Sequence, residues 1–496
     1  MDILVVISLF CVIITFVRWR LRRARVPFPP GPPGDPIIGH ARIIPAENQG
    51  EYFYQLSKVY GPVIHLTVPG RTLVVLNTVE AAIDLLEKRS VNYSDRSRFV
   101  LFEIMGWNVS LAFLPYGKRF QKHRRLFQEY FTRKKCETYH NVQLKQSRIL
   151  LRHLVKAPAK FESVLQWFTT SIIMHVAYGR QVTSEDDPFV TIAEEASATF
   201  STCVQYMPSW FPGTYYAERA RASKSLTDRI HVYPYKVIQM QMKQGTATPS
   251  FLSHHIEKLN EDSNTTEDDI DDIKGSAAMI YSAGGETTRA TLIIFILAMV
   301  LYPECQIAGQ KEIDEVLGVG KLPDFADRSS LPYVECILQE SYRWNNAIPL
   351  GVPHKSMEDD VYNGMFIPKG SIMIANTRGM CLNENVYSEP YKFNPSRFLP
   401  KPYGLGEPYP VAHFGFGGRV CPGRHLADDS VWIAVASIIA TLTVSKCIGK
   451  DGKEVTPDVE FTTGVTSLPK SFTCNIKPRN EVSEAAIISQ TDEWNL

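Results

Sequence analysis

Apolar positions recur at helical spacing over most of this chain and at strand spacing over only short stretches. The longest helical pattern opens at Thr266-Glu267-Asp268-Asp269, a capping-box-like start, and runs to about Val300. At 1.5 Å per residue that is roughly 50 Å, enough to cross an entire domain. Further helical patterns cover Val79–Lys88, Tyr116–Tyr130, most of 140–245, Leu331–Trp344 and the stretch from Arg424 to Leu442. Residues 63–76 alternate about Pro69-Gly70 and predict a hairpin, and Gly364–Ala375 predicts a second one. Arg98–Pro115 keeps no clean period while carrying Phe99, Leu101, Phe102, Met105, Trp107 and Phe113. Glu261–Asp272, acidic with Asn and Ser, predicts an exposed loop. The expected fold is mainly α with a smaller β part, in a single large domain.

The ends of the chain read differently from its middle. Ile3 to Val17 is apolar apart from Ser8 and Thr15 and is followed by Arg18, Arg20, Arg22, Arg23 and Arg25. As a helix it spans roughly 22 Å against ~30 Å of hydrocarbon, with Trp19 and Leu21 able to extend it. A cleaved secretory signal wants positive charge before the apolar run and small residues after it, and both are missing. Residues 1–26 therefore predict an uncleaved membrane anchor with the body on the cytosolic side. Residues 27–36 are dominated by proline and predict a semi-rigid spacer, leaving 37–496 as the globular domain. Met207-Pro208-Ser209-Trp210-Phe211-Pro212-Gly213 breaks the helical region with a Pro/Gly-punctuated aromatic knot.

Composition excludes several classes. The net charge is +1, and no basic run has the interleaved aromatics of a nucleic-acid surface. Nine scattered cysteines, odd in number and without CxxC spacing, argue against a disulfide framework or a zinc site. Gly415-x-Gly417 lacks the strand–turn–helix context of a dinucleotide loop.

The chemistry concentrates in Phe414-Gly415-Phe416-Gly417-Gly418-Arg419-Val420-Cys421-Pro422-Gly423. A thiolate that binds a metal must be shielded from water and approached closely by backbone N–H groups. The glycines let the main chain curl around it, and Pro422 suits a first helical turn, which places Cys421 at a helix N-terminus where negative charge is favoured. Pro422 itself has no N–H to offer the sulfur. Within the long helix, Ala283-Gly284-Gly285-Glu286-Thr287-Thr288 puts two glycines at the centre, each costing about 1 kcal/mol relative to alanine. A flat ligand lying against the helix would offset that cost; close packing of another helix is the plainer alternative.

Spaced as Phe-x-x-Gly-x-Arg-x-Cys-x-Gly, the cysteine loop resembles the haem-binding loop of the cytochrome P-450 superfamily, and its surroundings resemble fungal membrane-bound members. The resemblance implies haem b, with Cys421 as the axial iron ligand, Phe414 beside the sulfur and Arg419 paired with a propionate. The glycine-centred stretch resembles the family's Ala/Gly-Gly-x-Asp/Glu-Thr-Thr signature. By that likeness Gly284 would lie over the haem, Thr287 would hydrogen-bond dioxygen in the groove, and Glu286 would relay protons to it.

The family's Trp-x-x-x-Arg is matched here by Phe120-x-x-x-Arg124, which keeps the propionate-binding arginine and loses the indole N–H. His354 occupies the position of a further propionate partner. Glu340 and Arg343, with Arg397 in Phe393-Asn394-Pro395-Ser396-Arg397-Phe398, match the family's buried ion network. Arg119, Lys122 and Arg125 read as a solvated helix face able to meet an acidic electron donor. Val465, Ser467 and Leu468 would form a last turn reaching into the pocket.

The function so implied is a haem-thiolate monooxygenase in the endoplasmic reticulum membrane, a monomer that binds no nucleic acid. It would insert one atom of O2 into an apolar small molecule: a terpenoid, a polyketide or a polycyclic aromatic. Secondary metabolism or xenobiotic oxidation would be the setting. Electrons would come from NADPH through a separate cytochrome P-450 reductase. A haem-thiolate isomerase or dehydratase, a non-catalytic haem sensor or carrier, and a membrane-anchored scaffold without haem are the alternatives.

Overall fold

Thr266 caps the longest helix of the chain: its hydroxyl accepts from Asp269 N–H, while the Asp269 carboxylate accepts from Thr266 N–H. From that start Glu267–Leu301 runs unbroken for 35 residues. It is the one helix among the described residues long and apolar enough to cross a membrane, yet 72% of that stretch is buried, which marks the core helix of a globule. The structure is a computed structural model and describes residues 10–14, 26–182, 187–192, 194–195 and 214–493. Most of the expected anchor over residues 1–26 and the aromatic knot at 207–213 lie outside the described residues; 10–14 are helical.

The principal helices, in order, are α1 (Gln49–Tyr60), α2 (Val79–Ala82), α3 (Val100–Ile104), α4 (Lys118–Phe131), α5 (His140–Lys156), α6 (Phe161–Tyr178) and α7 (Thr214–Lys243). They continue as α8 (Phe251–Glu261), α9 (Glu267–Leu301), α10 (Pro303–Val316), α11 (Pro332–Trp344), α12 (Thr377–Cys381), α13 (Arg424–Thr441) and α14 (Glu481–Glu493). Helix takes 56% and strand 10% of the described residues, the helix-rich body with a smaller β part that the periodicities predict. The main core lies where α5, α6, α9, α11 and α13 pack together, around Leu151, Phe168, Phe295, Ile337 and Trp432.

The hairpin about Pro69-Gly70 forms as expected, β1 (Val63–Val68) pairing antiparallel with β2 (Arg71–Leu76). The second expected hairpin does not form. β5 (Met365–Ile367) pairs backwards with β4 (Asp360–Tyr362), while β6 (Ile372–Ala375) runs parallel to β2 and antiparallel to β3 (His354–Lys355). The tight turn is Asn363-Gly364, both at positive φ (49° and 75°), the dipeptide whose geometry suits a two-residue hairpin loop. Pro368-Lys369-Gly370 instead carries the chain from one sheet to the next. The sheets are completed by β7 (Leu442–Ile448), flanked by β8 (Glu454–Val455) and β9 (Cys474–Pro478).

The proline-rich run is not a free spacer. Prolines lack donors but keep carbonyls, and Pro30 and Pro27 accept from His65 and Phe366 N–H at 2.9 and 2.7 Å. Phe28 stacks on His65 with centroids 4.7 Å apart. The segment is strapped along the hairpin edge and belongs to the body.

Glu340, Arg343 and Arg397 are fully buried together as expected. Glu340 accepts from Arg343 Nε and Nη2 at 2.7 and 2.8 Å and from Arg397 Nε at 3.0 Å. Glu407 supplies a second carboxylate to Arg397 at 2.5 Å, and the carbonyls of Cys381, Pro390 and Ser388 take further N–H groups. Such added partners are what offset the desolvation of buried charge.

Candidate active site

Cys421 is held by its own loop. Its N–H donates to the Phe414 carbonyl at 2.8 Å, closing the turn that the glycines shape. Gly415 and Gly417 have φ of 75° and 57°, and a Cβ on Gly417 would stand 2.0 Å from the Leu86 carbonyl oxygen, so only glycine fits there. α13 starts at Arg424 as expected, with Gly423 as its N-cap, so Pro422 stands ahead of the first turn and not within it. The N–H of Gly423 reaches the sulfur, supplying the donor that Pro422 cannot. Burial pushes the free thiol up, and Gly423, Arg124 and Arg424 act against that. A bound metal would displace the proton altogether. The Phe414 ring packs beside the loop against His413 and, edge-on, Tyr342.

The loop faces a cavity of about 1540 Å³. The middle of α9 lines the same space through Ala283, Gly284, Glu286, Thr287 and Thr288. Thr287 Oγ1 donates to the Ala283 carbonyl one turn back, at 2.8 Å. Gly284 is explained by packing: a Cβ there would lie 2.7 Å from Ile173 Cδ1 on α6. A Cβ on Gly285 would meet nothing within 4 Å, so packing accounts for the first of the two glycines and not for the second. The periodless stretch after Arg98 forms the roof, with Phe102 and Phe113 stacked at 4.3 Å and Phe99 edge-on to both. The turn near the C-terminus contributes Val465 and Ser467 as expected, while Leu468 packs against the hydrophobic core instead.

Arg96, Arg124, Arg419 and His354 are among the residues that line the same space. Arg419 donates to the carbonyls of Ser94, Leu111 and Leu114. Arg124 donates to Val420 O at 2.7 Å, and His354 Nδ1 lies 2.8 Å from Tyr93 O. Arg96 donates to Ala112, Val352 and Pro353 carbonyls; nothing in the sequence marks it, because a lone arginine before an aperiodic loop carries no pattern. None of the three arginines has a carboxylate partner among the described residues, and the nearby Asp95 is taken by Lys355 at 2.7 Å. Burial pushes Arg419 down to about 10, lowers Arg124, and lowers Arg96 furthest. His354 is also held well below its usual value, by burial and then by Arg96 and Arg419. Concentrated positive charge without an internal anion is a binding site for anionic groups.

The family model described as cytochrome P450 matches residues 29–474 of this chain. The chain belongs to the cytochrome P450 family.

Relatives agree over nearly their whole lengths. Cytochrome P450 monooxygenase 136 of Postia placenta is 35% identical across 99% of this chain and 96% of its own. A cytochrome P450 monooxygenase of Armillaria gallica is 36% identical across 97% and 98%. The tryptamine 4-monooxygenase of Psilocybe cyanescens is 33% identical across 93% and 94%. This cytochrome P450 is accordingly an oxygen-dependent haem-thiolate monooxygenase whose cofactor is haem b. Its residues fit that group: a thiol on one wall, an apolar span, and a rim of unpaired guanidinium groups suited to two propionates.

The basic face of α4 departs from expectation. Arg119 and Lys122 each donate to Asp272 at 2.7 Å, and Lys122 also pairs with Asp269. Asp272, expected in an exposed loop, is 2% exposed and also faces His123 Nε2 at 3.0 Å. Two of the three cations are thus spent inside this P450, tying α4 to the start of α9. Of the three, Arg125 alone makes no ion pair among the described residues.

Proposed function

We propose that this cytochrome P450 inserts one atom of O2 into an apolar terpenoid, polyketide or polycyclic aromatic, in fungal secondary metabolism or xenobiotic oxidation. Electrons come from NADPH through a separate, membrane-bound reductase. Residues 1–26 anchor a monomer in the endoplasmic reticulum membrane with the body cytosolic, and the docked run 27–36 fixes where the anchor leaves domain 37–496. Exposed Phe10, Val12 and Ile13 and the arginines behind them support the anchor.

In this reading Cys421 would supply the thiolate that holds the haem iron, while Arg96, Arg124, Arg419 and His354 would hold the propionates. Haem b supplies oxygen activation when bound. The chain does the rest. Gly423 N–H and the tight turn of the loop hold the sulfur in one position. Thr287 parks its hydroxyl proton on the Ala283 carbonyl and turns it toward the cavity to deliver it, and Glu286 replenishes that proton. The roof phenylalanines exclude water and receive the apolar body of the substrate.

The observation that carries this proposal is the placement of Cys421 and the Ala283–Thr288 stretch on the walls of one cavity. Reconstitution with a reductase and NADPH, followed by mass analysis of terpenoid and aromatic panels, tests it. Products heavier by one oxygen atom, dependent on NADPH and lost on Thr287→Ala, are the expected result. Rearranged products formed from peroxides without NADPH would favour an isomerase instead.

A further inference from the structure

Arg378 stands in the wall of the same cavity as Cys421 but takes no part in the cationic rim. It follows β6 at the start of α12, and its own N–H donates to Pro349 O at 2.9 Å. Its Cβ is pressed against Gly50, where an added Cβ would approach to 2.9 Å. Nη1 donates to the Trp344 carbonyl at 2.5 Å. These contacts hold the stem and one amino group, while the rest of the guanidinium makes no hydrogen bond or ion pair among the described residues.

Glu51 is the carboxylate that acts on Arg378 most, yet it forms no ion pair with it. Its Oε1 accepts instead from Tyr391 OH at 2.6 Å and Gln55 Nε2 at 2.9 Å. Burial lowers the Arg378 pKa, but a guanidinium stays charged throughout the physiological range. A charge set into protein without a partner is costly, and an anion entering the cavity would offset that cost. The polar groups nearby cannot do so: Asn345 is bonded to Ser467, and Thr377 to the Ile348 carbonyl.

We infer that Arg378 anchors a carboxylate on the substrate, so that the preferred substrates are apolar acids. One guanidinium balances one negative charge, and its planar fork matches a carboxylate in two parallel bonds. A phosphate would call for more cations than stand there. The apolar skeleton then extends toward Phe99, Phe102 and Phe113. This deepens the proposed monooxygenase function and rests on it.

The test is titration of the full-length haem protein with abietic acid and palmitic acid, each beside its methyl ester. Binding is read from the haem absorption shift and from tryptophan fluorescence. The acids are expected to bind about tenfold or more tightly than their esters, the scale of a hydrogen bond to a charged group. Arg378→Gln should bring acid down to ester, with ester binding unchanged, and Arg378→Lys should keep part of the preference. Equal binding of acid and ester by the wild type, no binding of either acid, or a preference that survives Arg378→Gln would overturn the inference. If Arg378→Gln does not fold, the wild-type ratio and Arg378→Lys decide. A chain lacking the thiolate absorption would defeat the monooxygenase reading instead, and fluorescence would still compare acid with ester.

Discussion

Arg419 stands over the ring of Phe120, its guanidinium carbon 3.6 Å from the ring centroid. The ring that replaces the family's tryptophan gives up an N–H donor and instead lies against one of the arginines proposed to meet the propionates. A cation–π contact of this kind is worth up to about 2 kcal/mol when desolvated. Phe120→Leu should therefore leave a folded protein that releases haem faster, measured by transfer to apomyoglobin. An unchanged release rate would show that Phe120 does not position Arg419.

Arg96 belongs to the same prediction. Arg96→Ala should weaken haem retention at least as much as Arg124→Ala, because both guanidinium groups face the cavity without internal carboxylates. Haem content after gel filtration checks this, and full retention in Arg96→Ala would remove it from the rim.

The buried Asp272 makes stability depend on acid. Burial alone would raise its carboxyl, but His123, Lys122 and Arg119 outweigh burial and hold it well below the usual carboxylate range. Asp269 is lowered to about 2 in the same way, chiefly by Lys122. A depressed folded pKa gives stability that is complete above the unfolded value, about 4, and is lost as pH falls through the folded one. Denaturant unfolding should show stability declining from about pH 4 downward. Asp272→Asn should flatten that decline and cost about 3 kcal/mol at pH 7, the low end for a broken buried pair because Arg119 and Lys122 keep some access to water. Identical acid slopes in wild type and variant would contradict the assignment.

Glu340→Gln strands two fully buried arginines. The expected loss is about 3–5 kcal/mol, enough to leave little folded, haem-loaded protein at 37 °C. Thermal unfolding and haem content measure it; a variant as stable as wild type would mean that Glu407 and the carbonyls suffice.

Much of this was legible in the chain before any coordinates. The hairpin at Pro69-Gly70, the helix capped by Thr266 and the Glu340–Arg343–Arg397 network each combine a local signal with a fixed spacing. What stayed hidden depends on distant partners. Arg96 is one side chain just ahead of an aperiodic loop, and its proposed role exists only because Arg419 and His354 fold beside it. Asp272 reads as solvated because neighbouring acids usually are, while its cations come from α4, 150 residues earlier at Lys122. The misplaced hairpin shows the same limit: Ile372–Ala375 has strand character, but its partner is β2, far back in the sequence.

The claim everything else depends on is the bond between Cys421 and iron. The most direct measurement is the absorption of the full-length protein, reduced and exposed to carbon monoxide, beside Cys421→His. The account predicts the strongly red-shifted band of a thiolate-ligated haem in the wild type and its replacement by an unshifted, imidazole-type band in the variant. An unshifted band in intact wild-type protein, or a red-shifted band that survives Cys421→His, would contradict it.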